Sequence, residues 1–433
     1  MKTSKKLLAG LMFSSLAAVS TSAMAAGFQL TEQSVVSMGR SHAGAGIVGD
    51  DVSAVWYNPA GMTLLPGTQF QISSTVVDLD IDYKGFDGTT ENGRDKPAPI
   101  PAFFVSHQLT DNLWAGLAIT SPYGMKIRYG SDWTERERGI SGSIMTVDIN
   151  PNIAWKATEW FSIGAGVSAM YTHSKIKNGL PIVPVGNKGY VTGGEFEYKG
   201  SDWMFTYNAG IMLSPLETLR FGISYRSAAH VHAKGDYTVR GNLGPIGLSQ
   251  TSHGYGDLTT PETVMITGTW ETTPWLRLSA LARWANWKNF KDMRFYTNAD
   301  GGIYSMLNPQ MSYTLSHMTL ENNWKSVWLL SLGADIKVSD QWTIRGGIAL
   351  ETDPIHDQTK RTALIPDTKR LWLTCGVSWA PTKNWQIDAA YGHIRGIGHR
   401  KLYRDHHNGS YTEVGKFEKM NAWMGGLQVQ YKF

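Results

Sequence analysis

Polar and apolar residues alternate with a period of two along most of this chain. In one stretch Phe161, Ile163, Ala165, Val167, Ala169 and Tyr171 interleave with Ser162, Gly164, Gly166, Ser168, Met170 and Thr172. Near the end, Trp423, Leu427, Val429 and Tyr431 interleave with Met424, Gly426, Gln428, Gln430 and Lys432. Such alternation predicts strands with one apolar and one polar or small-residue face. It extends over fourteen segments, near 68–84, 98–109, 112–128, 142–157, 160–177, 196–213, 219–239, 254–271, 275–292, 320–337, 341–352, 369–380, 384–396 and 415–433. The apolar face could meet the core of a soluble sandwich or the lipid around a membrane barrel, and the period does not choose between them.

The turns do choose. Short polar turns lead into Trp114, Trp160, Trp275, Trp342 and Trp385. These turns mostly recur after two strands and one longer polar connection, which gathers five indoles at one end of a barrel. Indoles favour the headgroup region of a bilayer, so they read as a periplasmic aromatic girdle. The longer connections, near 85–97, 129–141, 178–195, 240–253, 293–319, 353–368 and 397–414, would then face outward. The expected fold is all-β: a transmembrane antiparallel barrel of about fourteen strands, occupying 67–433.

Residues 26–66 do not alternate. Phe28, Leu30, Val35, Val36, Met38, Val55, Trp56 and Tyr57 make them too apolar for a solvated tail, and a compact plug, or hatch, in the lumen is expected. Ahead of it, Lys2, Lys5 and Lys6, an apolar run from Leu7 to Val19 and the triplet Ala23-Met24-Ala25 have the three parts of a secretory signal peptide. Residues 1–25 are therefore expected to be removed.

Composition changes little in this picture. The formal charge of +4, less the three leader lysines, leaves +1, which gives no electrostatic case for nucleic acid. The one cysteine, Cys375, cannot make an internal disulfide. No apolar run of about 18 residues follows the leader, so a membrane location requires a closed barrel. No metalloprotease helix, nucleophile elbow or phosphate loop stands out. His230 and His232 share one strand face and read as a lumenal or loop-base pair. Asp78, Asp80 and Asp82 read as a polar strand face. Neither a metal nor another cofactor is expected, and no catalytic constellation argues for a membrane lipase.

Several short sequences resemble the FadL/TodX family of outer-membrane transporters for long-chain fatty acids and hydrocarbons. They are Ala26-Gly27-Phe28-Gln29-Leu30, Gly39-Arg40, Asp50-Asp51, Asn58-Pro59-Ala60, Ser121-Pro122-Tyr123-Gly124, Asn208-Ala209-Gly210-Ile211, Tyr225-Arg226-Ser227, Pro261-Glu262, and Ile365-Pro366-Asp367 with Arg370 and Trp372. Their order and spacing cover essentially the whole mature chain. The resemblance implies a fourteen-stranded barrel, an N-terminal hatch, and a kink in the third strand that opens the wall, here at Ser121–Met125. Pro122 removes a ladder donor there and Gly124 weakens the strand. It also implies basic side chains in an inner pocket. The position aligned with such an arginine is Asn178, and Lys325, inward by strand parity, could take that role. The loop near 178–195 is shorter than in the fatty-acid members.

The resulting expectation is a monomeric outer-membrane channel, surrounded by lipid and lipopolysaccharide. It would pass hydrophobic compounds, with long-chain fatty acids favoured, through an apolar pocket and a lateral gap. Substrate contact or gating is expected of Phe28, Asn58, Pro59, Ala60, Pro122, Gly124 and Lys325. The alternatives are an aromatic or alkane hydrocarbon transporter of the same family, a general hydrophilic porin, and an adhesin or phage receptor acting through its loops.

Overall fold

The computed structural model describes residues 27–93, 96–184, 190–298, 301–307, 309–406 and 409–433. The expected signal peptide and Ala26 lie outside the described residues. Fourteen antiparallel strands form one closed barrel. They are β1 Thr68–Gly85, β2 Ala98–Thr110, β3 Leu113–Thr120 continuing as Gly124–Arg128, β4 Ser141–Lys156, β5 Phe161–Gly179, β6 Tyr190–Leu216, and β7 Leu219–Arg226 continuing as His230–Leu243. The rest are β8 Ile246–Thr259 continuing as Thr263–Thr273, β9 Leu276–Ala285 continuing as Asp292–Thr297, β10 His317–Glu321 continuing as Val327–Lys337, β11 Trp342–Glu351, β12 Arg370–Trp379, β13 Trp385–Gly396, and β14 Tyr411–Lys432. Each pairs with its neighbour in sequence, and β14 closes on β1 from Gln69↔Lys432 to Gly85↔Gly415.

The burial pattern inverts that of a soluble protein. Ile163, Val167, Phe205, Leu332, Ile348 and Leu427 point outward and are exposed, whereas Asn150, Asn208, Asp335, Arg345, Asp388 and Gln428 point inward and are buried. Exposed apolar strand faces are favourable when they meet lipid, and the closed ladder satisfies the backbone there. No helix among the described residues is long and apolar enough to cross a membrane.

The expected strands are present, but several run further than their alternation. The 240–253 connection is mostly a hairpin, because β7 reaches Leu243 and β8 starts at Ile246. Strands above the bilayer have no lipid face, so their polar outer positions hide the period. The Trp girdle also needs one correction. Trp160, Trp275, Trp342 and Trp385 are exposed, but Trp114 points inward, is buried, and donates its indole N–H to the Leu65 carbonyl at 2.8 Å. Trp342 and Trp385 open their strands on the outward parity, and Trp160 and Trp275 lie in the turns before theirs, whereas Trp114 is the second residue of its strand and falls on the inward parity.

Residues 27–66 lie inside the barrel as two short helices, α1 Val35–Gly39 and α2 Ala54–Tyr57, and a 3-10 turn Pro59–Leu64. Ser34 caps α1, accepting from the Ser37 N–H. Buried ion pairs hold this segment to the wall. Arg40, 1% exposed, meets Asp50 at 2.7 Å and the β10 residue Asp335 at 3.2 Å, and Arg345 on β11 meets Asp335 at 2.8 Å. Charges this deeply buried persist only when paired. Close backbone approach does the rest. A Cβ on Gly347 would lie 2.2 Å from the Arg40 carbonyl carbon, and one on Gly210 would lie 2.1 Å from the Asn58 side-chain oxygen.

If these glycines seat the segment, Gly347→Val should displace it while the barrel remains folded. We expect ion conductance in planar bilayers above the wild-type level, with unchanged gel mobility before and after heating. Wild-type conductance from a folded variant would contradict this packing account.

Candidate functional site

The third strand is interrupted. Its first part, Leu113–Thr120, pairs with both β2 and β4, but its second part, Gly124–Arg128, is paired with β4 alone. Residues 120–125 are buried in succession, so the chain turns inward and stops alternating. Pro122 has no N–H to donate to a ladder. The break is narrower than expected: Gly124 is already a strand residue opposite Met145.

A break in a barrel wall leaves backbone donors and acceptors that must find partners. The N-terminal segment supplies most of them. Leu30 donates its N–H to the Pro122 carbonyl at 2.8 Å, Gly124 donates to the Phe28 carbonyl at 2.8 Å, and Gln29 faces Tyr123 in an antiparallel bridge. Gln33 serves Ser121 twice, accepting from its N–H at 3.2 Å and donating to its carbonyl at 2.7 Å. Tyr123 is served from β4, where the Thr146 hydroxyl donates to its carbonyl at 2.6 Å and accepts from its N–H at 3.0 Å. Residues 28–33 thus act as a surrogate neighbour for the broken strand.

Phe28 anchors this surrogate in an aromatic cluster. Its ring lies 5.1 Å from Trp287, 5.5 Å from Phe290 and 5.9 Å from Tyr123, and Trp324 packs 4.8 Å from Phe290. Just before it, the Gly27 N–H donates to the Asp367 carboxylate at 2.5 Å, beside Arg370. Burial pushes the Asp367 carboxyl up to about 7, although Arg370 opposes the shift.

Beside the break lies a cavity of about 40 Å³, lined by Thr31, Trp56, Tyr57, Pro122, Tyr123 and Met265 among others. That holds one or two waters, against roughly 300–1,000 Å³ for the usual small-molecule site. A larger ligand therefore requires part of the lining to move. Two cations face the cavity: Arg226, over the Trp56 ring at 4.8 Å and 3.5 Å from Asp148, and Arg283, 3.1 Å from Glu351.

Asn58, Pro59 and Ala60 sit at the other end of the segment. The Asn58 side-chain oxygen accepts from the Ala60 N–H at 3.1 Å, and its side-chain amide N–H donates to the Ile211 carbonyl of β6 at 3.0 Å. One side chain thus closes its own turn and ties it to the wall. Pro59 also lines the cavity, and Ala60 is fully buried.

Lys325 is a correction. The odd-numbered parity of β10 points inward, but the strand segment begins at Val327, and the preceding chain turns through Asn323 at φ 44°. Lys325 is off the strand and exposed, so parity does not carry it into the lumen. Asn178 is buried, but its amide N–H donates to the Glu137 carbonyl in the outer loops. His230 and His232 also point outward rather than into the lumen, with His232 2.6 Å from Asp257.

Sequence reasoning missed Gln33, Thr146, Arg226 and Arg283. The two arginines were readable as polar positions on inward strand faces. Nothing local marked Gln33 or Thr146, whose roles depend on a contact between segments 88 residues apart for Gln33 and on a neighbouring strand for Thr146.

Residues 16–433 match the family described as outer membrane protein transport protein (OMPP1/FadL/TodX). The long-chain fatty acid transport protein of Escherichia coli O6:H1 is 26% identical, covering 96% of this chain and 97% of that one. Outer membrane protein P1 of Haemophilus influenzae is 24% identical over 99% of this chain and its own full length. Among solved structures, a Pseudomonas aeruginosa FadL homologue superposes with TM-score 0.81 at 20% identity, covering 94% of this chain and all of that one. The Ralstonia pickettii toluene transporter TbuX superposes with TM-score 0.68 at 18% identity, covering 94% and 99%. With its fourteen-stranded barrel and the match along almost its whole length, the chain belongs to the OMPP1/FadL/TodX family of outer-membrane transporters, which are channels and not enzymes.

Proposed function

We propose that this protein carries hydrophobic compounds, with long-chain fatty acids favoured, from a pocket inside the barrel to the bilayer through the interrupted third strand. The observation that carries this reading is the pairing of residues 28–33 with Ser121–Gly124 beside the cavity. A ligand that enlarges the cavity displaces Phe28 and its neighbours. Their withdrawal strips partners from Ser121, Pro122 and Gly124, and the weakened wall opens between β2 and the second part of β3. An apolar ligand then moves into lipid and avoids water, at about 25 cal/mol per Å² of apolar surface kept dry. In this reading residues 26–66 are a hatch whose Arg40 and Asn58 contacts stay fixed while its first residues move.

The fatty-acid preference is supported by the Escherichia coli relative, a long-chain fatty acid transport protein, and by Arg226 and Arg283 at the cavity, either of which can meet a carboxylate. The toluene transporter among the structural neighbours supports the hydrocarbon alternative, in which these arginines only balance Asp148 and Glu351.

Pro122→Val combined with Gly124→Val restores a ladder donor and places branched side chains at the break. Uptake should fall strongly, with no loss of heat stability. Normal uptake, with the wall shown closed by structure, would overturn the lateral route in favour of axial passage. Asn58→Ala removes both the turn closure and the Ile211 contact, a loss of about 0.5–2 kcal/mol from the cap. At equal surface expression, uptake should drop while the barrel stays folded; equal uptake would show that the turn has no part in transport.

A further inference from the structure

Beyond transport, the outer wall carries a charge asymmetry that points to a lipid partner. On β5 and β6 the outward-facing pair Tyr171 and Trp203, with rings 5.4 Å apart, ends the apolar band begun by Phe161, Ile163 and Val167. Four residues further out, Lys175 on β5 stands directly opposite Lys199 on β6. At about 3.3 Å per residue along strands tilted roughly 40°, this places them about 10 Å beyond the aromatic rings, at headgroup level. Lys126 and Arg128 on β3, Lys177 on β5 and Lys234 on β7 also occupy outward positions on this side.

Two like charges directly across a strand pair destabilise the sheet unless an anion meets them. The protein supplies only part of that anion. Glu197 is shared by Lys175 at 3.4 Å and Lys199 at 2.6 Å, and Glu195 by Lys177 at 2.7 Å and Arg136 at 3.1 Å. Each of these carboxylates serves two cations, and Asp236, outward on β7, adds one more anion, so the six basic side chains keep an excess of positive charge; Lys175 and Lys199 remain more than 40% exposed. The seam between β1 and β14 is more evenly balanced. There Asp78, Asp80 and Asp82 occupy outward positions, Lys84 stands opposite Lys416, and Lys419 lies 2.8 Å from Asp82 and 3.8 Å from Asp80. The excess of basic charge therefore lies on the β3–β7 face, whereas the seam sets three aspartates against three lysines.

We propose that the outward face of β3–β7 above Tyr171 and Trp203 binds the phosphate groups of a phosphorylated glycolipid of the outer leaflet. Lys175, Lys199 and Lys234 are the phosphate contacts, and the aromatic pair meets the acyl chains below. Continuity with the lipid-facing band and the charge of the face select a lipid over a soluble anion.

The test is native mass spectrometry of the full-length protein in detergent, titrated with bis-phosphorylated lipid A or with its dephosphorylated form. The wild-type protein should retain the phosphorylated lipid at concentrations at least about tenfold lower, since each basic residue near a charged surface contributes about 1 kcal/mol. Lys175→Gln combined with Lys199→Gln and Lys234→Gln should abolish that preference, with the fold verified by unchanged heat-dependent gel mobility. Asp78→Asn with Asp80→Asn, on the β1–β14 seam, should leave it intact. Equal retention of the two lipids by the wild type, an undiminished preference in the triple variant, or an equal change in the seam variant would each overturn the proposal.

Discussion

A barrel in lipid must satisfy every backbone hydrogen bond within the protein, because hydrocarbon offers no partner and each group left bare costs several kcal/mol. The third strand breaks this rule at Ser121–Tyr123, and much of the structure follows from its repair. Gln33, Leu30 and Phe28 satisfy Ser121, Pro122 and Gly124, while Thr146 satisfies Tyr123. The break is tolerated because the chain's own N-terminal segment reaches it from inside. That segment can do so only because Arg40, Asp50 and Asp335 hold it against the wall and because Gly210 and Gly347 let it approach.

The same arrangement sets the energetics of opening. A typical protein hydrogen bond contributes about 0.5–1.5 kcal/mol net, but leaving a buried group unmade costs about 1–3 kcal/mol. Four such hydrogen bonds join residues 28–33 to the break and favour the closed state. The ion pairs around Arg40 are less easily surrendered, since stripping one partner from a buried pair costs about 3–5 kcal/mol. The segment therefore divides into a firmly held portion after Ser34 and a releasable portion before it, which is the division that the proposed gating requires.

The sequence carried the architecture well because alternation reports strands wherever one face meets lipid. Ile163, Val167, Ile344 and Ile348 made that pattern plain. It faded above the bilayer, where Lys199, Lys234 and Asp236 occupy outer positions and the hairpin around Gly244 hid within a polar loop. Pro122 together with Gly124 pointed to the break, although proline alone does not make one, since Pro99, Pro101 and Pro151 stand within paired strands. The partners of the break were not legible: Gln33 is one more polar residue until the fold brings it to Ser121. Lys325 shows the limit of parity, which ends with the strand that defines it. The interruptions in β7 to β10 at 227–229, 260–262, 286–291 and 322–326 were likewise hidden, although Pro261 pointed to one of them.

The central claim is that residues 28–33 and the broken strand separate when a substrate passes. Gln29 and Tyr123 form an antiparallel bridge, and residues so paired lie about 4.5–5.5 Å apart at Cα, within the disulfide range of roughly 4.4–6.8 Å. Gln29→Cys with Tyr123→Cys, in a chain whose exposed Cys375 is replaced by serine, would lock them reversibly. Uptake of whichever compound the unaltered protein carries, a long-chain fatty acid or toluene, should be blocked under oxidation and return on reduction. Equal uptake in the oxidised and reduced forms, with the cross-link shown complete by mass spectrometry, would contradict the account.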